Sequence, residues 1–306
     1  MTGLQRVFVV NLDRVLAATF LVVASCGKHS ASHREFPAPR TIRAARMHAQ
    51  LGFGPVVFWK PRQVEGAKLN PYLAPLLYQE LVGSEDAERD VFGALVRDED
   101  GRLRIDSTRP TVYWFESIAK VFGVPTRRLA FLWLYPPGPA DLRAQGIRIT
   151  FDARGFPAVF EVLASHAPLR ALYVSLRTEK ASEQTFGTPV DGRRYCIERA
   201  GSEAARVAVV HTLKDGPEAS GPFAYLRAVS HEISNLHCRC TPSHIGRIAK
   251  MREYELVPAK RMRQRGLELV WSRHVLDPKR RAVDPFEQER EDPGWLRRVL
   301  RLPPIK

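Results

Sequence analysis

Residues 146–163 carry the pattern that most constrains the fold of this chain. The segment GIRITFD alternates apolar residues such as Ile147 and Ile149 with polar ones, and residues 153–155 turn the chain into FPAVFEVL. Since side chains on a β-strand alternate between two faces, this spacing predicts a β-hairpin with one buried and one solvent-exposed face. We therefore expect the charged side chains of the hairpin, such as Glu161, to be solvated.

Short apolar stretches separated by turn residues recur along the body of the chain. Further strands are predicted at residues 91–97, 102–106, 129–135, 171–177, 194–199 and 206–213, and residues 223–236 fit a strand or a helix. Helices are predicted at residues 70–82 and 178–186, where Asn70 and Thr178 are suitable N-terminal caps. Strands outnumber helices, and strands do not alternate regularly with helices. The sequence therefore predicts an α+β fold, with a mainly antiparallel sheet and a few peripheral helices.

The first 26 residues have the pattern of an export signal. Arg6 and Arg14 supply positive charge, and residues 15–25 form an uninterrupted apolar and small stretch that is too short to span a bilayer. The ending Val-Ala-Ser-Cys resembles a bacterial lipobox, in which the cysteine becomes the lipid-bearing first residue of the mature protein. The resemblance implies that Cys26 carries a lipid and that the protein is exported and anchored to a membrane of the cell envelope. The alternative is a buried amino-terminal helix or strand in a cytoplasmic protein.

Composition divides the rest of the chain into three parts. Residues 27–54 are polar, basic and proline-bearing, which predicts a flexible linker. Residues 55–249 form the predicted globular domain, and residues 250–306 form a basic C-terminal segment that includes an acidic stretch at 284–292. Near its end, residues 294–302 (GWLRRVLRL) predict a short amphipathic helix. This helix either packs against the body of the protein or lies on anionic lipid.

The net charge of +14 permits several kinds of partner. A basic protein can contact nucleic acid or anionic lipid, but heavy use of arginine, alanine and proline is also typical of a GC-rich genome. The sequence contains no aromatic RNA-binding pattern, no zinc-finger spacing and no glycine-rich phosphate loop. It therefore contains no specific nucleic-acid motif.

Cysteine and histidine are concentrated in residues 231–244, which read HEISNLHCRCTPSH. A zinc metalloprotease helix is excluded, because the second histidine of that motif would fall where Asn235 lies. On a strand, two cysteines separated by one residue face the same side, and a third cysteine from another predicted strand can join them. The candidates for a disulfide bond or a metal site are Cys196, Cys238, Cys240, His231, His237 and His244.

Four interpretations of these residues remain open. A disulfide bond between Cys196 and Cys238 or Cys240 suits an exported protein. The cysteines can also be unpaired, or they can bind a structural zinc together with one of the histidines. A redox or nucleophilic pair is the fourth interpretation, since Arg239 between two thiols can lower a thiol pKa. No cofactor other than such a structural zinc is expected.

The sequence assigns no catalytic residue, because it lacks a G-x-S-x-G elbow and any carboxylate pair that can be placed from spacing. The function that fits the sequence best is an exported, lipid-anchored envelope protein with a binding or structural role. One alternative is an envelope enzyme or metal-binding protein that uses the cysteine and histidine cluster. The other is a basic cytoplasmic protein that binds nucleic acid.

Overall fold

A computed structural model describes most of the chain after residue 55. The described residues are 56–62, 69–81, 90–121, 124–136, 144–165, 169–238, 251–259, 281–282 and 294–303. The predicted signal segment with Cys26, and the predicted linker 27–54, lie outside them.

The described residues form fifteen strands and two α-helices. The strands are β1 (Val56–Pro61), β2 (Leu76–Glu80), β3 (Ala94–Arg97), β4 (Leu103–Asp106), β5 (Thr111–Lys120), β6 (Pro125–Leu134), β7 (Ala144–Phe151), β8 (Pro157–Val162), β9 (Ala164–Ser165), β10 (Arg170–Ser175), β11 (Val207–Leu213), β12 (Phe223–Leu226), β13 (Ile233–His237), β14 (Met251–Pro258) and β15 (Arg281–Ala282). The helices are α1 (Leu176–Phe186) and α2 (Trp295–Val299). In the described part of the chain, neither helix has the length and apolar character needed to cross a membrane.

Eleven strands form one mixed sheet in the order β11-β10-β8-β7-β6-β5-β14-β1-β2-β12-β13. Four of the pairings are parallel: β1 with β14, β14 with β5, β2 with β12, and β10 with β11. The sheet curls until its two edges nearly meet. The prediction of an α+β fold on a mainly antiparallel sheet is therefore wrong, because the described chain is mostly β-structure and its sheet is mixed.

The segment predicted as a helix at 70–82 shows why the helical content was overestimated. Asn70 does cap a helical turn, since its side chain accepts a hydrogen bond from the Tyr72 N–H at 2.9 Å. The turn is a 3-10 helix of three residues, Pro71–Leu73, and the chain then enters β2. Pro75 explains the stop, because a proline forces the residue before it, Ala74, into the extended region.

Other predicted elements had mixed outcomes. The hairpin of β3 and β4 is confirmed, with Gly101 in the left-handed region at φ +76°. Helix α1 is confirmed, but its cap is Ser175 rather than Thr178. The predicted strand at 194–199 is wrong, since this segment forms turns, and its described backbone pairing is an isolated bridge between Glu198 and Leu300.

Strand β14 was not predicted, although it occupies the middle of the sheet. Its residues pair with β1 on one side and with β5 on the other. Residues 251–258 therefore belong to the sheet itself. Helix α2 packs onto the body, with Leu296, Val299 and the following Leu300 buried in an apolar cluster. This packing agrees with the first of the two predictions for residues 294–302, in which the helix packs against the body of the protein. Contact of this helix with anionic lipid stays a prediction.

The concave inner face of the sheet holds the main core. All eleven strands contribute to it, and its largest buried side chains include Trp59, Trp133 and Tyr254. Leu213 of β11 and Leu236 of β13, from the two edges of the sheet, belong to the same cluster. The interior is therefore filled by apolar and aromatic side chains that hold the curled sheet together.

The outer face is covered as well, at least over β5 to β11. Leu95 of the β3–β4 hairpin packs on one patch of this face, and residues 195–197 with α2 pack on another. Every residue of β7 is buried. The predicted pairing of β7 with β8 in a hairpin is therefore confirmed. The prediction that one face of this hairpin is exposed to solvent is wrong.

Charged side chains on this covered face are paired instead of solvated. Arg148 of β7 forms two hydrogen bonds of 2.7 Å with Glu161 of β8, and Arg128 of β6 adds a third at 3.1 Å. Burial by itself would raise the pKa of Glu161. The guanidinium groups of Arg148, Arg128 and Arg170 outweigh it and lower that pKa from 4.5 to about 2.

We expect Glu161→Gln to lower the free energy of unfolding by about 3–5 kcal/mol, because it leaves Arg148 buried without its charged partner. Urea denaturation measures the loss. Glu116→Gln is the matched control, since Glu116 pairs with Arg127 at 2.8 Å on the surface. Its loss should stay under about 1 kcal/mol. Equal losses in the two variants would contradict a special contribution from the buried pair.

The effect of this substitution depends on pH in a defined direction. The pKa of Glu161 is about 2 in the folded protein, below its ordinary value of 4.5, so its stabilisation is present above about pH 4.5 and is lost as pH falls towards 2. The difference in unfolding free energy between wild type and Glu161→Gln should shrink over that interval.

Candidate functional site

An open cleft lies between the two edges of the curled sheet; the space that its walls enclose is about 30 Å³, and the rest opens to solvent. One wall is apolar and comes from residues 156–160, at the start of β8, together with Leu213 at the end of β11. The opposite wall comes from the end of β13, where His237 and Cys238 lie. The loop 214–222, which follows β11, closes one side. The cleft thus exists because the sheet curls without closing completely.

The loop 214–222 is held against the body of the protein by backbone contacts. The Gly221 N–H donates to the Tyr72 carbonyl at 2.8 Å, and the Leu76 N–H donates to the Pro222 carbonyl at 3.0 Å. A Cβ atom at position 221 would lie 2.4 Å from the Leu73 carbonyl oxygen, so only glycine permits this approach. These contacts fix the base of the cleft.

Charged groups of both signs line the cleft. Lys214 and His237 can carry positive charge, whereas Asp215 and Glu218 carry negative charge. The Asp215 carboxylate accepts a hydrogen bond of 2.8 Å from the backbone N–H of Arg177, in the first turn of α1. A negative group is stabilised at this end of a helix, so Asp215 is held in a fixed position.

Two polar side chains near the cleft have structural roles. Ser175 Oγ accepts the Thr178 N–H at 3.1 Å and lies 2.8 Å from the Thr178 hydroxyl, as expected for a helix cap. The Arg177 guanidinium lies 4.3 Å from the centre of the Phe156 ring. The arrangement therefore supplies fixed charges beside an aromatic wall, which suits binding.

His231, one of the sequence candidates, lies in the interior and not in the cleft. Its Nε2 atom is 3.0 Å from Asp90 Oδ1, and its ring stacks on Tyr135 with 3.6 Å between the ring centres. The Val229 N–H also donates to Asp90 Oδ1, at 3.1 Å. Asp90 thus holds the turn between β12 and β13, in which Val229 and His231 both have positive φ. The role of His231 here is to position this turn.

Cys196 is a free thiol and is buried in a turn, not on the predicted strand. Its sulfur donates to the Gly187 carbonyl at 3.1 Å, and its N–H donates to Glu179 Oε1 at 2.7 Å. Burial raises the pKa of this thiol, and Glu179 and Glu183 raise it further. Because Cys196 is unpaired, it does not form the predicted disulfide bond with Cys238 or Cys240.

The remaining candidates divide between the cleft and the part of the chain that is not described. His237 ends β13 and lies 3.0 Å from the Asn235 side-chain nitrogen, and Cys238 follows it in the cleft wall. Cys240 and His244 lie outside the described residues. Among the described residues, no three histidine, cysteine, aspartate or glutamate side chains converge as a metal site would require. The predicted metal site is therefore not assembled among the described residues.

Three charged residues of the cleft were not predicted. Lys214, Asp215 and Glu218 lie in the loop after β11, where Asp-Gly-Pro at 215–217 indicated only a turn. No spacing in the sequence relates this loop to β13, because the curl of the sheet brings them together.

Comparison with known proteins adds no relative: no family model, no curated protein and no solved structure matches this chain. Functional assignment therefore depends on the geometry of the chain itself.

We expect the Cys196 thiol of the native protein to react with a thiol reagent at least about 100-fold more slowly than in denaturant, because it is buried and protonated. The labelling difference between wild type and Cys196→Ala isolates this one cysteine. Equal labelling of Cys196 in native and denatured protein would contradict the buried position.

Proposed function

We propose that this protein binds a small molecule that carries both a positive and a negative group and an apolar part. The observation that carries this proposal is that Lys214, His237 and the carboxylates of Asp215 and Glu218 line one cleft, beside the aromatic wall at 156–160. Ligand sites are typically concave and mostly apolar, with a few fixed polar groups that orient the ligand. The enclosed space of about 30 Å³ is small, so a ligand of amino-acid size would fill it and extend into the solvent.

Each part of such a ligand has a partner in the cleft. The Lys214 ammonium attracts a carboxylate, and the Glu218 carboxylate attracts an ammonium group. The Phe156 ring and Leu213 remove apolar ligand surface from water. Asp215 is already engaged by the Arg177 N–H, so Glu218 is the better partner for a ligand cation.

We propose further that the protein acts in the cell envelope, anchored through Cys26. Support comes from the sequence of the first 26 residues, whose Val-Ala-Ser-Cys ending resembles a lipobox. A binding protein held at a membrane by a lipid keeps its cleft accessible to small molecules outside the cell. The polar stretch 27–54 supplies the spacing between anchor and body.

We expect L-phenylalanine to bind more tightly than 3-phenylpropionate or 2-phenylethylamine, each of which lacks one of its two charges. Lys214→Ala should weaken the binding of phenylalanine and of phenylpropionate by about two- to fivefold, since exposed ion pairs contribute about 0.5–1 kcal/mol. Glu218→Gln should weaken the binding of phenylalanine and of phenylethylamine by a similar factor. Ligand-observed NMR titration measures all three affinities.

Lys120→Ala is the control for these titrations, because Lys120 is exposed at the tip of the β5–β6 hairpin, outside the cleft. The proposal predicts that it changes none of the affinities. Recognition of two opposite charges would be refuted if Lys214→Ala and Glu218→Gln weakened the binding of all three ligands equally. It would also be refuted if neither variant weakened the binding of any ligand.

For the anchor, we expect Cys26→Ser to move the protein from the detergent phase to the aqueous phase in a detergent-partitioning experiment. Loss of the lipid removes the buried acyl chains that hold the protein in the membrane. Cys196→Ser, which leaves Cys26 intact, should stay in the detergent phase. Identical partitioning of wild type and Cys26→Ser would refute anchoring through this cysteine.

A further inference from the structure

A second site lies on the outer face of the sheet, away from the cleft. Arg148 and Glu161 are direct partners in the β7–β8 register, and Arg128 reaches the same carboxylate from β6. Arg170, at the start of β10, lies on the same face, since Leu172 of β10 is the register partner of Glu161. Three guanidinium groups therefore surround one carboxylate.

The charges of this arginine cluster, Arg128, Arg148 and Arg170, repel one another. Burial lowers the pKa of Arg170 to about 10. The attraction of Glu161 opposes that change, while Arg148 and Arg128 add to it. A guanidinium stays protonated at neutral pH, so negative charge placed beside Arg170 would relieve this repulsion.

Two polar atoms at the cluster also lack partners. Among the described residues, neither Arg170 Nη1 nor Thr150 Oγ1 has a hydrogen-bond partner, although both atoms are buried. Thr150 is fully buried and is the register partner of Arg128. Buried polar groups are normally satisfied, so these atoms indicate a missing acceptor.

The cluster reaches solvent at Arg170, whose side chain is only partly buried. Its guanidinium lies 4.0 Å from the centre of the Trp295 ring, at the start of α2. This stacking holds the planar group in a fixed orientation. Arg128 and Arg148 are buried, so a ligand from solvent meets the cluster at Arg170.

We propose that the arginine cluster binds an oxyanion at Arg170, with inorganic phosphate as the representative ligand. The planar guanidinium fork matches the spacing of two oxygens on phosphate, sulfate or a carboxylate. The added negative charge relieves the repulsion among the three arginines. This site is independent of the cleft and of the function proposed for it.

The test is a titration of the full-length chain with phosphate at constant ionic strength. Isothermal calorimetry measures the dissociation constant, and thermal unfolding measures the change in melting temperature. In wild type, phosphate at about 100 times its dissociation constant should raise the melting temperature by about 5 °C. Arg170→Gln should weaken phosphate binding by at least about tenfold. Arg170→Lys keeps the charge and should bind with intermediate affinity, which guards against a folding defect in the first variant.

Arg127→Gln is the matched control, because Arg127 lies next to Arg128 but pairs with Glu116 on the surface. It should bind phosphate as wild type does. The proposal is overturned if phosphate leaves wild type unchanged, or if Arg170→Gln and Arg127→Gln bind it equally well.

A carboxylate of the chain itself is the competing source of negative charge, since the acidic stretch 284–292 precedes Trp295 in the sequence. The experiment separates the two sources. If phosphate binds only after the acidic residues are neutralised, the chain supplies the anion and the proposal is overturned. The variant needed combines Asp284→Asn, Glu287→Gln, Glu289→Gln, Glu291→Gln and Asp292→Asn.

Discussion

The ion pair between Arg148 and Glu161 is the interaction on which the outer layer of this protein depends. It joins β7 to β8 where both faces of the sheet are buried, so neither charge has water to replace its partner. Such a pair is tolerated only with close, bidentate geometry, which the direct register of the two strands provides. Because the pair satisfies the charges, the hairpin of β3 and β4 and the helix α2 can cover the neighbouring apolar surface.

Local pairing could be predicted from the sequence, and long-range pairing could not. The β7–β8 hairpin follows from alternation and from the turn at Gly155, both of which act within eighteen residues. The position of β14 depends on contacts with β1 and β5, which precede it by more than 130 residues. Alternation also cannot tell a solvated face from a covered one, and for this reason Glu161 was predicted in water.

The candidate site was predictable only in part, for the same reason. His237 and Cys238 were found because cysteine and histidine are rare and lie together in the sequence. Their neighbours in the cleft, Lys214 and Glu218, come from a loop that the curled sheet brings near β13. Proximity in sequence also misled, since His231 is only six residues from His237 and yet points into the core.

Strand β10 links the two proposed binding sites and also keeps them apart. It begins at Arg170, in the arginine cluster, and ends at Ser175, in the lining of the cleft. Six extended residues place these ends about 17 Å apart. Ladders to β8 and β11 hold the strand on both sides, so it cannot slide to transmit a shift from one end to the other. Binding at the two proposed sites is therefore expected to be energetically independent.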